Sequence, residues 1–349
     1  MIKLLIVDDS LVVREFLNHI FSSDPEIMVV GLAQNGNEAV EMTSFHRPDV
    51  ITMDLHMPLL DGLGATRKIM EICATPIVIV TGNPNVKEAA FTFNLLDAGA
   101  LAVVSRPPSI GEPEYERASR NLIETVKCMS EIKVVSRPLR RTTAPHFFSL
   151  PEKQVSIPAQ DIRVVAIGAS TGGPQALQKL LSALPKDLPV PILIVQHIAV
   201  GFVAGFAEWL QTVTGFPIHL AISGVCPLPG HVYIPPDFVH MGVTTGLRIE
   251  LSSQPQEESL RPAISYLFRT LAQTMGSQAV GVLLTGMGRD GSRELKSMKE
   301  AGAITIAQDK ASCVVFGMPG EAIKLNAAKY ILPPEAIAAV LTNLLKKQK

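Results

Sequence analysis

The sequence predicts an α/β protein made of two doubly wound parallel-sheet domains, the second with an antiparallel hairpin. Three observations carry that reading. Short apolar runs alternate with helix-period segments along nearly the whole chain. The runs are continuous rather than alternating, as in "PILIVQH" and "AVGVLLTG", which suits parallel strands buried on both faces. The length, 349 residues, exceeds what a single hydrophobic core usually fills, so two domains are expected.

In the first domain, expected over residues 1–125, the strand-like runs are "KLLIVDD", "MVVGLA", "VITMDL", "PIVIVTG" and "LAVVSRP". Helical patterns such as "NEAVEMTSFH" and "VKEAAFTFNLLDAG" separate them. Residues 126–160 read as a helix end followed by a linker, because "KVVSRPLRRTTAPHFFSLPEKQVSIPAQ" is rich in Pro, Thr, Ser and basic side chains without a period. Its Arg137, Arg140 and Arg141 form a solvated charge cluster. From "RVVAIGAS" a second alternation begins, expected over 161–345, through "PILIVQH", a helix around Trp209, the hairpin-like "HVYIPP" and "LRIELS", then "AVGVLLTG", "AITIAQD" and a terminal helix.

Charge and composition exclude several function classes. A formal net charge of -1 leaves no positive excess for nucleic acid or for an anionic membrane surface. No run approaches the roughly 18 apolar residues of a membrane span. The opening "MIKLLIVDDS" is cut by Asp8 and Asp9 and reads as a first strand rather than a signal peptide. Cys73, Cys128, Cys226 and Cys313 form no C-x-x-C pair; they read as buried small hydrophobes in a reducing, cytoplasmic setting.

Asp8, Asp9 and Asp54 stand at strand ends, where parallel doubly wound sheets gather their ligands. Clustered carboxylates call for a hard cation, and an oxygen-only set suits Mg²⁺. A carboxylate beside Mg²⁺ can accept a phosphoryl group, with Thr81 and Arg106 supplying a hydroxyl and a positive charge for its oxygens. Singly, each acid could be only a helix cap. Together, "LLIVDDS", "ITMDLHMPLLDG", "IVIVTG" and "VVSRPP" resemble the flavodoxin-like receiver domain of bacterial response regulators. That resemblance implies Asp54 as phosphoacceptor, Asp8 and Asp9 as Mg²⁺ holders and Thr81 as the switch hydroxyl. Receivers carry lysine where this chain has Arg106, a longer planar fork.

In the second domain, "VAIGASTGGP" fits G-x-S-x-G at Gly168 to Gly172, between a strand and a helix, the setting of a nucleophile elbow. It fits neither G-x-G-x-x-G nor a P-loop. A serine nucleophile needs a base and an orienting acid. His197 ends "PILIVQH" and Asp290 follows "AVGVLLTGMGRD", so three strand ends deliver Ser170, His197 and Asp290 to one edge. His231, His240, Asp237 and Asp309 are competitors in the same domain. The two histidines lie in hairpin-like segments that suit a structural, hydrogen-bonded role, and Asp309 suits a cap. The order Ser, His, Asp disfavours the α/β-hydrolase fold.

With "QHI", "LPGHVYIPP", "RPAISYLF", "LLTGMGRDG" and "ASCVVFGMPGEAI", that order resembles the catalytic domain of chemotaxis protein-glutamate methylesterases. The resemblance implies a Ser170–His197–Asp290 triad, Thr171 beside the nucleophile and the Met287 backbone in the oxyanion hole. It also implies hydrolysis of glutamate γ-methyl esters on chemoreceptor helices with release of methanol, glutamine deamidation, and activation by a histidine kinase. The esterase reaction itself would need no cofactor. The family commonly has glycine where this chain has Asp237. Two readings from other classes remain beside it: a receiver-controlled binding module, and another serine hydrolase such as a thioesterase.

Overall fold

The computed structural model describes residues 1–82, 86–134 and 161–346. Of the expected helix end and linker, residues 126–134 are described and the remainder, including Arg137, Arg140 and Arg141, lies outside the described residues. The chain divides into two compact units, Met1–Pro145 and His146–Lys349.

In the first unit five strands, β1 (Ile2–Val7), β2 (Ile27–Ala33), β3 (Val50–Met53), β4 (Ile77–Thr81) and β5 (Ala102–Ser105), alternate with five helices. These are α1 (Leu11–Ser22), α2 (Gly36–His46), α3 (Gly62–Ile72), α4 (Val86–Ala98) and α5 (Tyr115–Ser130). The sheet is wholly parallel in the order β2-β1-β3-β4-β5. Its order therefore reverses at β1, and a crevice opens beyond the ends of β1 and β3. Helix starts are set by short polar caps: Ser10 accepts from the Val13 N–H, Asn35 from Asn37 and Glu38, and Asp61 from Gly64. Because Ser10, the residue after Asp9, caps α1, the acidic pair is pinned in the turn above β1.

The second unit holds a seven-stranded sheet formed by β6 (Val164–Ala169), β7 (Ile192–Gln196), β8 (Ile218–Leu220), β9 (Val232–Ile234), β12 (Ala279–Leu283), β13 (Ile304–Gln308) and β14 (Tyr330–Leu332). All its pairings are parallel, in the order β14-β13-β12-β6-β7-β9-β8. Between β9 and β12 the chain forms a separate antiparallel pair, β10 (His240–Thr244) with β11 (Arg248–Ser252). The helices are α6 (Gly173–Ser182), α7 (Val203–Thr214), α8 (Ile264–Thr274), α9 (Ser292–Glu300), α10 (Met318–Lys324) and α11 (Pro334–Lys346).

The hairpin is thus made of the segment around His240 and of "LRIELS"; "HVYIPP" instead joins the main sheet as β9. Its Val232, Tyr233 and Ile234 are all buried, which is the burial a parallel interior strand receives. The core of this unit runs from Val164, Ala166, Leu193 and Val195 on the central strands to Leu267, Phe268 and Leu271 of α8. Helix α8 also ties the hairpin down, since the Thr270 hydroxyl accepts from the Val243 N–H at 3.2 Å. All four cysteines are free; three are half-buried and Cys226 is exposed, so none is the fully buried hydrophobe the sequence suggested.

Candidate active site

Strand β6 lies between β12 and β7, and that placement gathers the three predicted groups at one sheet edge. Ser170 follows β6, and its N–H donates to the Thr285 carbonyl at 3.0 Å. His197 follows β7, and its N–H donates to the Ala169 carbonyl at 2.9 Å. Asp290 comes from the loop after β12, and its Oδ2 lies 2.9 Å from His197 Nε2. The acid is 3% exposed, so its charge must be met inside the protein. The N–H groups of Ile264 and Ser265, at the start of α8, meet it at 2.7 and 2.9 Å, and the Ser265 hydroxyl adds a third donor. Burial pushes the Asp290 carboxyl up, but the His197 contact, the Ser265 hydroxyl and the Ile264 N–H outweigh it and hold the carboxyl below its usual range.

The position of α8 depends on missing side chains. A Cβ on Gly168 would stand 2.4 Å from Ile264 Cγ2, and one on Gly291 would stand 2.5 Å from the same atom. Ile264 is nested between the strand that leads to Ser170 and the loop that carries Asp290. Among the described residues, His197 Nδ1 and Ser170 Oγ make no hydrogen bond, and neither do the backbone N–H groups of Thr171, Gly172 and Met287. Met287 lies next to Gly286, where an added Cβ would stand 2.6 Å from Ser170 Cβ. Bare amides beside a hydroxyl are what an oxyanion site requires.

The competitors take structural roles. His231 Nδ1 pairs with His219 Nε2 at 2.8 Å. Buried His240 faces the Pro255 carbonyl through Nε2 at 3.1 Å and accepts the Ala263 N–H at Nδ1. Asp309 accepts from the N–H and hydroxyl of Ser312, as a turn former does. Asp237 accepts from the Gly201 N–H at 3.1 Å, joining the loop after His197 to the loop after β9.

In the first unit, Asp8, Asp9 and Asp54 bring one carboxylate oxygen each to within 4.8 Å of one another. Burial, together with repulsion from Asp54 and Asp9, lifts the Asp8 carboxyl to about 6 against the pull of the Ser10 N–H and of Arg106. Asp54 is raised too, chiefly by burial, although the N–H groups of Leu55 and His56 pull it down. This oxygen-only, like-charged set fits Mg²⁺. Thr81 is buried at the end of β4, and its carbonyl accepts the Arg106 N–H at 2.8 Å. The Arg106 side chain is exposed yet close enough for its charge to act on Asp8.

Comparison with known proteins places both halves. Residues 165–341 match the CheB methylesterase family and residues 4–112 the response regulator receiver domain. The chain belongs to the CheB methylesterase family. It is 51% identical over 345 residues to a Geobacter metallireducens protein named protein-glutamate methylesterase/protein-glutamine glutaminase 4, covering 99% of each chain. A Nitrosospira multiformis protein-glutamate methylesterase/protein-glutamine glutaminase is 53% identical over 351 residues, covering 100% of this chain and 98% of its own. The crystal structure of the Thermotoga maritima CheB methylesterase catalytic domain is 36% identical, with a TM-score of 0.51, over 52% of this chain and 98% of that one.

Several residues that frame the sites of this CheB-family chain escaped sequence reasoning. Gln196, 4% exposed, donates through Nε2 to the carbonyls of both Ser170 and His197, at 2.9 and 2.8 Å. Arg14 on α1 donates to the carbonyls of Asp8 and Asp9 at 2.6 and 3.0 Å and so holds the acidic turn from behind. Ser265 touches Asp290 directly. The only available signal was positional: Gln196 adjoins the predicted base, and Arg14 lies one helical turn beyond Ser10. Among the described residues, no helix is long and apolar enough to cross a membrane.

Proposed function

We propose that this protein hydrolyses glutamate γ-methyl esters on the cytoplasmic helices of chemoreceptors, releasing methanol, deamidates glutamines at the same site, and is switched by phosphorylation of Asp54. The observation that carries the reading is the His197–Asp290 pair, 2.9 Å apart at the strand edge that bears Ser170, beside amides left without partners. The names of its relatives supply the substrate class.

Ser170 Oγ attacks the ester carbonyl while His197 takes its proton. With Nε2 held by Asp290, Nδ1 is the ring nitrogen that receives it. Asp290 fixes the tautomer and stabilises the imidazolium. The N–H groups of Met287, Thr171 and Gly172 donate hydrogen bonds to the negatively charged former carbonyl oxygen. Collapse of the tetrahedral intermediate breaks the bond to methoxide, which leaves as methanol with the proton from His197. Water, deprotonated by His197, then cleaves the acyl-serine to free glutamate and restores Ser170. With a glutamine side chain the leaving group is ammonia.

In the receiver, Asp8, Asp9 and Asp54 would hold Mg²⁺, which when bound neutralises charge on a phosphoryl group in transfer. Asp54 accepts that group from a histidine kinase, and Thr81 and Arg106 turn toward its oxygens. The decisive experiment is methanol release from methylated receptor. Wild-type protein is expected to release it, and Ser170→Ala to lower turnover about 10⁶-fold with folding intact. Retained turnover in that variant overturns the mechanism.

A further inference from the structure

Ser265 Oγ lies against two carboxylates at once: Asp290 Oδ1, and Glu294 Oε2 at 2.8 Å. It also accepts the Gly291 N–H at 3.0 Å. A serine hydroxyl carries one proton, so it can donate to Asp290 or to Glu294 but not to both together. Glu294 belongs to the first turn of α9 and, with Ser265, lines a cavity of about 180 Å³. The other carboxylates lining that cavity have cations of their own: Glu257 is bridged by Arg269, Glu258 by Arg289 and Glu321 by Lys324. Arg293, also at the cavity, is exposed. Among the described residues Glu294 makes no ion pair, although it lies within the field of Arg269; its hydrogen bond is to the hydroxyl that also serves Asp290.

We infer that Ser265 and Glu294 are positioning residues for the triad, and that their shared proton sets how much negative charge Asp290 presents to His197. The inference rests on the assignment of Ser170, His197 and Asp290 given above. When the Ser265 proton points to Asp290, a charge-assisted hydrogen bond spreads the carboxylate charge and the imidazolium is held less tightly. When Glu294 draws that proton away, Asp290 keeps more charge and holds the imidazolium more tightly. The cavity is lined by Glu294 and Ser265 but not by Ser170, His197 or Asp290, and Ser265 meets Asp290 Oδ1 while His197 meets Oδ2, so conditions in the cavity are transmitted to the base without any group touching Ser170 or His197.

The test is the pH dependence of the rate at which a fluorophosphonate labels Ser170 in the full-length protein. Labelling needs neutral His197, so its rate falls on the acidic side. In Glu294→Gln the amide donates to Ser265 Oγ and commits the hydroxyl proton to Asp290. The acidic limb is then expected to move to lower pH by about half a unit or more. Ser265→Ala removes the donor and should move the limb the opposite way. Glu258→Gln removes a charge from the same cavity without touching Ser265 and should leave the limb in place. Equal shifts in the two glutamine variants, shifts of one sign in Glu294→Gln and Ser265→Ala, or an unmoved limb overturn the inference. If Ser265→Ala does not fold, the contrast between the two glutamine variants decides alone. A wild-type protein that resists labelling overturns the nucleophile assignment itself, and this inference with it.

Discussion

The N–H of Ile264 donates at 2.7 Å to Asp290 Oδ2, the same carboxylate oxygen that faces His197. The Asp290 carboxylate is therefore placed by the first residue of α8. That residue is in turn placed by the two glycines its side chain fits between.

Gly168→Ala is expected to disturb the site from beneath. The added methyl would stand 2.4 Å from Ile264 Cγ2, inside contact distance, in a fully buried setting. Overpacking of this kind costs about 1–3 kcal/mol. Urea unfolding of the catalytic unit should show the loss. Fluorophosphonate labelling of Ser170 should slow even under conditions where the variant is fully folded. Unchanged stability and labelling would mean that α8 is free to shift.

Asp290→Asn should remove the orienting charge while keeping the shape. Turnover is expected to fall by about 10⁴, less than for loss of the nucleophile. The native carboxyl is held below its usual value, so it contributes stability that is present above about pH 4 and is lost as pH falls through the lower folded value. The stability gap between wild type and Asp290→Asn should accordingly be open at pH 7 and narrow in acid. A gap that widens on acidification would contradict the sign of the shift.

Asp8→Asn tests the acidic cluster. In the absence of metal, an Asp8 carboxyl lifted to about 6 is ionised at pH 7 at a cost to the folded receiver. That cost is present above the raised value and vanishes below about pH 4. The metal-free variant should melt higher than wild type at pH 7, and it should gain less from added Mg²⁺ in thermal unfolding. A lower melting temperature with an undiminished Mg²⁺ effect would count against the cluster as the ion's seat.

Asp54→Ala addresses control. A small-molecule phosphodonor with Mg²⁺ is expected to raise the methylesterase rate of the full-length protein, whereas the Asp54→Ala protein should stay at its basal rate. Methanol release before and after donor addition measures both. Stimulation that survives in the variant would remove Asp54 from the switch.

The parts legible in the sequence are those built from long local patterns. Runs such as "KLLIVDD" and "PILIVQH" announce buried strands because both faces are apolar, and residues at their ends inherit a position. That is how Ser170, His197 and Asp290 could be brought together from one dimension. Strands β8 and β14 are only three residues long and lie at the two edges of the sheet, too short for any period to register. "HVYIPP" reads as part of a hairpin because strand spacing alone does not reveal which sheet a segment joins. Gln196, Ser265 and Glu294 were illegible for another reason: their partners lie on other elements, so their roles exist only after the sheet is assembled.

Assembly has a consequence for how the protein comes into being. The neighbours of β6 are β7, made soon after it, and β12, made only after the hairpin and α8; the register joins Val164 to Ala279. A chain emerging from the ribosome would carry its serine and histidine early, yet lack both the aspartate and the amide of Met287. Such distant pairings form slowly. On the proposed mechanism the growing polypeptide thus stays chemically silent until β12 and the loop after it have been translated and laid beside β6, at the edge of the β6-β7-β9-β8 strands that are already made.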